Sequence, residues 1–189
     1  LITLHMRTRM MALFALIAFC VMPIEAKKVK GNGDIITKEI SVRDYSAIKV
    51  GSTAMGYSDS WFSLFSRGGN PSYVFGYTQG ESASLRITID ENLYPFINVQ
   101  VKNEELSIST ENGTQLSPTR FKIEGTSKKL EKIQMSGCMD FVLRSNLSGD
   151  DLEVIATRGS DVKMEKPVNV SNCIIEATSG SDIIINDLT

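Results

Sequence analysis

Hydrophobic positions in the last third of this chain recur with a period of 21 residues. Ile133, Val154 and Ile175 are separated by that interval, and three neighbouring columns of apolar side chains follow the same step. Repetition at a fixed period of this length is typical of repeat proteins, in which each repeat buries its apolar face by stacking on the next one. The pattern therefore predicts that similar side chains line one shared core.

Within each repeat, apolar and polar residues alternate at period two, as in Val162 and Met164. This alternation indicates short β-strands, and pairs such as Gly159-Ser160 and Ser179-Gly180 supply the turns between them. Crossovers between parallel strands are right-handed in nearly all proteins. The sequence thus predicts an all-β fold, a right-handed single-stranded β-helix or solenoid with coils of about 21 residues and two main sheets joined by Gly/Ser turns.

The chain before these repeats also predicts strands, because its apolar residues alternate and no amphipathic helical period occurs in it. A single short helical turn is predicted at Asp90–Tyr94, where Pro95 follows. The predicted strands of this part are Ile35–Ile40, Ile48–Val50, Leu85–Ile89, Ile97–Val101, Leu106–Ser109 and Phe121–Ile123.

The first 26 residues have the pattern of a secretory signal peptide. Arg7 and Arg9 precede an apolar run, and the segment ends in Ala26, a small residue suited to cleavage. A retained membrane anchor is the alternative, although the apolar run is short for a bilayer. Lipid attachment at Cys20 is a weaker alternative, because Phe19 occupies a position that requires a small residue. We therefore expect a signal peptide at 1–26 and one β-domain at 27–189.

Charge and histidine content exclude several classes of function. Without Arg7, Arg9 and Glu25, the 20 basic and 22 acidic residues of the chain become 18 and 21, so nothing in the balance favours nucleic acid as a partner. The only histidine, His5, leaves with the predicted signal peptide. Mechanisms and metal sites that depend on imidazole are therefore excluded, and we expect neither a metal nor another cofactor.

A segment at about 56–80 is rich in aromatic residues among glycines and serines. Large aromatic side chains on a loop either cap the open end of a repeat array or form a contact surface for sugar rings or a partner protein. Capping is the favoured interpretation, and the contact surface is the functional one. The candidate ligand-binding residues are Tyr57, Trp61, Phe62, Phe65, Tyr73, Phe75 and Tyr77.

Three stacked aspartates, Asp140, Asp161 and Asp182, directly follow predicted turns. An aspartate at such a position commonly accepts hydrogen bonds from backbone amides, which is the favoured interpretation. A row of carboxylates could instead hold a cation, or act as an acid and base pair on glycosidic bonds. The last alternative would make the protein a carbohydrate-active enzyme.

Two further features leave alternatives open. Cys138 and Cys173 follow the predicted signal peptide into a compartment that permits disulfides, but they lie in different columns, so two half-buried thiols are favoured over a disulfide. The final strand, Ile183–Ile185, has the pattern of a core strand with no polar cap after it. Three interpretations stay open: the sequence is cut short relative to its relatives, the end is covered by a neighbouring subunit in a homo-oligomer through the solenoid ends, or the chain's own N-terminal region covers it.

Two stretches carry a resemblance to a known family. Gly31-Asn-Gly33 with Tyr45–Ser52, and Leu85–Ile97 with its Asp-Glu-Asn-Leu-Tyr-Pro box, resemble the bacterial family named putative auto-transporter adhesin, head GIN domain. The resemblance implies a super-helix similar to pectin-lyase-like folds, turns made by Gly-Ser motifs, a role in cell adhesion and no catalytic residues.

These observations together predict a secreted, non-enzymatic protein of the periplasm or cell surface that binds a glycan or a host or matrix protein. One rival is the carbohydrate-active enzyme that uses the aspartate row. A second rival is an architectural subunit of an envelope assembly.

Overall fold

The strands of this protein lie in three sheets within the part of the chain that the computed structural model describes, residues 27–51, 73–111, 114–137 and 139–189. A 3₁₀ helix, Glu91–Phe96, contains Pro95 and extends two residues beyond the helical turn predicted from the sequence. The strands in chain order are β1 (Lys27–Lys30), β2 (Ile35–Ile40), β3 (Ala47–Val50), β4 (Tyr73–Gln79), β5 (Ser84–Asp90), β6 (Ile97–Lys102), β7 (Glu105–Thr110), β8 (Thr114–Ser117), β9 (Phe121–Ser127), β10 (Lys132–Ser136), β11 (Asp140–Leu143), β12 (Leu147–Thr157), β13 (Val162–Met164), β14 (Val168–Ala177) and β15 (Ile183–Ile185).

Two large sheets and one small sheet organise these strands. The six-stranded sheet has the order β14-β12-β10-β3-β7-β6, and the seven-stranded sheet has the order β15-β13-β11-β4-β9-β5-β2. The small sheet is the parallel pair β1-β8. Successive strands of the C-terminal region alternate between the two large sheets, so their inward side chains meet in the space between them.

The residues spaced by 21 positions pair with one another in parallel register. Ile133 is opposite Val154, which is opposite Ile175, and on the other large sheet Phe141 is opposite Val162. Because neighbouring parallel strands are about 4.8 Å apart, each column of similar side chains is continuous. The stacking predicted from the repeat is therefore present in this part of the chain.

The turns of the repeats need residues that tolerate positive φ. Arg158 and Gly159 have φ of +56° and +72°, and Ser179 and Gly180 have φ of +57° and +72°. Glycine adopts this region without the steric cost that a Cβ adds. A buried serine follows the second of these turns, where the Ser181 hydroxyl accepts a 3.1 Å hydrogen bond from the backbone N–H of Ser160.

The prediction of a right-handed single-stranded β-helix or solenoid is wrong, although the all-β class is confirmed. Such a helix has only parallel strands, whereas both large sheets here are mixed. In the six-stranded sheet β6 is antiparallel to β7. In the seven-stranded sheet β5 is antiparallel to both β9 and β2.

A tight hairpin explains the antiparallel pair β6–β7, one of the departures from the predicted coil. Lys102 pairs directly with Glu105, so the connection between β6 and β7 has two residues. Those residues, Asn103 and Glu104, have φ of +50° and +60°. Two consecutive positive φ values are the geometry of a type I′ turn, which reverses the chain. The chain therefore returns as β7, antiparallel to β6, instead of advancing to a new parallel strand.

The core lies between the two large sheets and contains most of the large apolar side chains. Phe141 stacks between Phe75 and Tyr77, with ring centroids 6.0 Å and 6.3 Å away. The core column that contains Ile133 and Val154, both fully buried, ends at Ile175, which is 48% exposed. Ile175 belongs to β14, an edge strand of its sheet.

Candidate functional site

An open groove of about 610 Å³ lies on the outer face of the seven-stranded sheet. It crosses β2, β5, β9 and β4 and reaches Arg144, the residue that follows β11. Strand residues alternate between the two faces of a sheet, so the outward neighbours of buried core residues form its surface. Its lining residues are Glu39, Ile40, Ser41, Gly76, Thr78, Ala83, Ser84, Leu85, Arg86, Glu124, Gly125, Thr126 and Arg144.

Opposite charges face one another on one side of the groove. Arg86 pairs across the sheet with Glu39 and with Glu124, at 2.9 Å and 3.8 Å between charged atoms. Lys122 donates a 2.7 Å hydrogen bond to Glu124. That hydrogen bond lowers the pKa of Glu124, burial opposes it, and the charges of Lys122, Arg86 and Arg144 lower the pKa further. Glu39 and Glu124, the two glutamates that line the groove, therefore each form an ion pair with a basic side chain.

Arg144 lies on the other side of the groove, across Gly76. A Cβ at Gly76 would be 3.2 Å from the Arg144 Nε, so the absence of a side chain there leaves room for the arginine. Arg144 is exposed, and no carboxylate among the described residues is within 4.0 Å of its guanidinium. The groove thus contains one arginine whose charge is not matched by a contact ion pair.

Two of the three stacked aspartates, Asp140 and Asp161, accept hydrogen bonds from the backbone of the next repeat. Asp140 Oδ1 accepts a 3.2 Å hydrogen bond from the N–H of Asp161, and Asp161 Oδ1 accepts one of the same length from Asp182. Lys163 Nζ lies 3.9 Å and 3.6 Å from the Oδ2 atoms of Asp140 and Asp161. Burial raises the pKa of Asp140, which the hydrogen bond and Lys163 partly offset. These contacts are those of turn residues.

The aromatic segment is only partly within the described residues. Phe75 and Tyr77 are fully buried in the core, and their side chains do not face the solvent. Tyr73 is partly buried and donates a 2.6 Å hydrogen bond to the carbonyl of Pro118. The remaining candidate residues, Tyr57, Trp61, Phe62 and Phe65, lie outside the described residues.

Sequence reasoning missed a buried carboxylate that joins the two motif stretches. Asp90 is 0% exposed. Its Oδ1 accepts 2.8 Å hydrogen bonds from the Gly33 N–H and the Thr119 hydroxyl, and its Oδ2 accepts a 2.8 Å bond from the Thr119 N–H. Burial by itself would raise the pKa of Asp90, but these hydrogen bonds offset it and the pKa is lowered.

Asn92 completes the connection between the motif stretches. Its Nδ2 donates a 2.8 Å hydrogen bond to the Lys30 carbonyl, and its Oδ1 accepts a 3.0 Å bond from the Asn32 N–H. The Asp-Glu-Asn-Leu-Tyr-Pro box therefore holds the Gly31-Asn-Gly33 loop in place. The joint occurrence of the two motifs was the only signal in the sequence that could have linked them.

Three further predictions concern cysteines, metals and membranes. Cys173 is a free, partly buried thiol, and Cys138 lies outside the described residues. Among residues 27–51, 73–111, 114–137 and 139–189, no group of three acidic, cysteine or histidine side chains could hold a metal ion. Within the same ranges no helix has the length and apolar character needed to cross a membrane.

Comparison with solved structures finds related folds. The chain is 28% identical to a putative adhesin from Parabacteroides merdae ATCC 43184, with a TM-score of 0.70 over 86% of this chain. It is 27% identical to a putative adhesin from Parabacteroides distasonis ATCC 8503, with a TM-score of 0.71 over 86% of this chain. A putative lipid binding protein from the latter organism is 24% identical over 86% of this chain and 62% of its own, with a TM-score of 0.68, and shows likeness of fold alone.

The chain spans 60% of the length of each of the two adhesin structures. A comparison with curated proteins found no match. The family model described as putative auto-transporter adhesin, head GIN domain, matches residues 70–187, which is more than half of the chain. This protein therefore belongs to the family of putative auto-transporter adhesins with a head GIN domain.

Proposed function

We propose that this protein is a secreted, non-enzymatic binding protein of the bacterial cell envelope that acts in adhesion. The observation that carries the proposal is the polar groove on the outer face of the seven-stranded sheet, where Arg144 has no carboxylate within 4.0 Å among the described residues. Three of the four strands beneath the groove, β4, β9 and β5, are paired on both sides, so their side chains are presented on a rigid surface. Membership of an adhesin family supports the same role.

The state of the aspartate row supports a binding role over a catalytic one. A general acid or base needs a carboxyl group that is free to exchange a proton with the substrate. Asp140 and Asp161 instead each accept a backbone hydrogen bond and lie near Lys163. Residues 27–189 contain no histidine that could take over this task.

Location and assembly complete the proposal. The predicted signal peptide at 1–26 would export the protein to the periplasm or the cell surface. The partner would be a glycan or a host or matrix protein, and Tyr57, Trp61, Phe62 and Phe65 remain predicted contact residues. A homo-oligomer also stays a prediction.

A binding experiment tests this function. The exported protein is applied to an array of glycans and matrix proteins and to intact cells, beside the single variants Arg144→Ala and Trp61→Ala. We expect the wild-type protein to bind at least one glycan, matrix protein or cell surface, and one variant to lose that binding. Absence of wild-type binding to every surface would refute the adhesion role.

A further inference from the structure

We infer that the groove on the seven-stranded sheet binds an acidic glycan and that Arg144 binds the carboxylate of one of its sugars. This inference rests on the proposed function and names the class of ligand for it. Four observations carry it: the charge balance of the groove, its free hydroxyl groups, its saturated backbone and its polar lining.

The charge balance identifies Arg144 as the residue available to an anion. Arg86 is held between Glu39 and Glu124, so its guanidinium is already engaged. Arg144 has no such carboxylate within 4.0 Å in the described ranges of the chain. A guanidinium matches a carboxylate with two parallel hydrogen bonds, which makes arginine suited to select this group.

Hydroxyl groups line the groove together with Arg144. Thr78, Ser84 and Thr126 line the groove, and none of their hydroxyls forms a hydrogen bond with another described residue. A hydroxyl group can both donate and accept, as the hydroxyls of a sugar do. The groove therefore offers a row of hydroxyl groups across β5, β9 and β4 that leads towards Arg144.

The backbone of the strands beside Arg144 cannot take part in recognition. β4 is paired with β11 and β9, and β9 is paired with β4 and β5. Extended peptides bind sheets by adding a strand to an open edge. Because β4 and β9 are interior strands, an acidic peptide has no backbone groups to pair with beside Arg144, and a ligand recognised through side chains is favoured there. The edge strand among the described residues, β2, lies at the far side of the groove from Arg144.

The lining distinguishes a sugar from an apolar ligand. The volume of about 610 Å³ is within the usual range for small-ligand sites, about 300–1,000 Å³, but such sites are mostly apolar. Here Arg144, Thr78, Thr126 and Glu124 are polar, and Gly76 contributes only backbone to the floor. A hydroxyl-rich ligand with a carboxylate matches these groups.

The test measures binding to oligosaccharides that contain galacturonate, glucuronate or sialate, each beside its methyl ester. The ester retains the shape and the hydroxyl groups of the sugar but removes the negative charge. The proteins are the full-length exported chain and its variants Arg144→Ala and Arg120→Ala. Arg120 is exposed and lies outside the groove, so its replacement removes the same charge elsewhere.

We expect at least one acid to bind, and its ester to bind about tenfold more weakly or worse, because a charge-assisted hydrogen bond is lost. Arg144→Ala is expected to weaken binding of the acid by a similar factor, whereas Arg120→Ala retains it. Equal binding of acid and ester, or equal loss in both variants, would overturn the inference. Unfolding curves of the two variants show whether each has kept its fold.

The outcome separates this inference from the proposed function. If the wild-type protein binds cells, matrix proteins or neutral glycans but no acidic sugar, adhesion stands and the acidic-glycan inference is wrong. If it binds no surface and no glycan, both are wrong.

Discussion

Gly31 lies directly against the carboxylate of Asp90, and a Cβ at position 31 would overlap that group. The two residues are 59 positions apart in the sequence. Asp90 cannot withdraw, because three hydrogen bonds from Gly33 and Thr119 hold it in place. The glycine of the N-terminal loop and the aspartate at the end of β5 are thus one structural unit.

Gly31→Ala is expected to destabilise the protein by about 2 kcal/mol or more, because the added methyl group forces the Asp90 network apart. The measurement is the free energy of unfolding in urea. Gly149→Ala is the matched control, since no atom lies within 4 Å of its added Cβ. The control should change stability by less than about 1 kcal/mol, and equal effects of the two changes would contradict the steric argument.

Asp90→Asn should cost about 2–3 kcal/mol of unfolding free energy. The amide keeps one acceptor oxygen, but its NH₂ group faces an N–H donor of Thr119 or Gly33 that is left unsatisfied in a buried position. Asp150→Asn is a suitable control, because Asp150 is exposed. Its effect is expected to be within about 0.5 kcal/mol.

The effect of Asp90→Asn should depend on pH. The pKa of Asp90 is lower in the folded protein than in the unfolded chain, where it is about 3.9. The stability from its carboxylate is therefore fully present above that value and is lost as the pH falls through the folded pKa. Unfolding curves of wild type and variant at pH 7 and at pH 2.5 should differ less at the lower pH. A difference that does not change with pH would show that the charge is not responsible.

Asp140→Asn is expected to be neutral or to stabilise the protein by up to about 1 kcal/mol at pH 7. Burial raises the pKa of Asp140 in the folded state, so its charged form is less favourable there than in the unfolded chain. The asparagine oxygen can still accept the hydrogen bond from the Asp161 N–H. The free energy of unfolding provides the check, and a loss above about 1 kcal/mol would mean that the charge at this position is needed.

Two buried tyrosines should respond differently to loss of the hydroxyl group. The Tyr77 hydroxyl bonds to Ser127, with 2.9 Å between the two hydroxyl oxygens. The Tyr45 hydroxyl lies near the backbone of Thr126 but forms no hydrogen bond of good geometry with the described residues. We expect Tyr77→Phe to cost about 1 kcal/mol and Tyr45→Phe to be neutral or stabilising. The reverse order of thermal unfolding midpoints would contradict this assignment.

The sequence by itself determined the all-β class and the pairing of the C-terminal repeats. Ile133, Val154 and Ile175 are opposite one another because a 21-residue period returns each strand to the same register. The aspartates follow the same 21-residue period: Asp140 accepts a hydrogen bond from the Asp161 N–H, and Asp161 accepts one from the Asp182 N–H. A periodic pattern specifies these local contacts, because each repeat contacts its neighbours in the sequence.

Only the tertiary structure decided the strand directions of the first half of the chain and the position of the groove. The Asn103-Glu104 turn reverses the chain through two positive φ values, which neither residue type requires, so the periodicity could not predict it. The groove joins Arg86 of β5, Glu124 of β9 and Arg144 after β11, which are distant in sequence. Whether each of these charged side chains lies close to one of opposite sign is decided only when the sheet has assembled, because Coulomb interactions depend on distances in space.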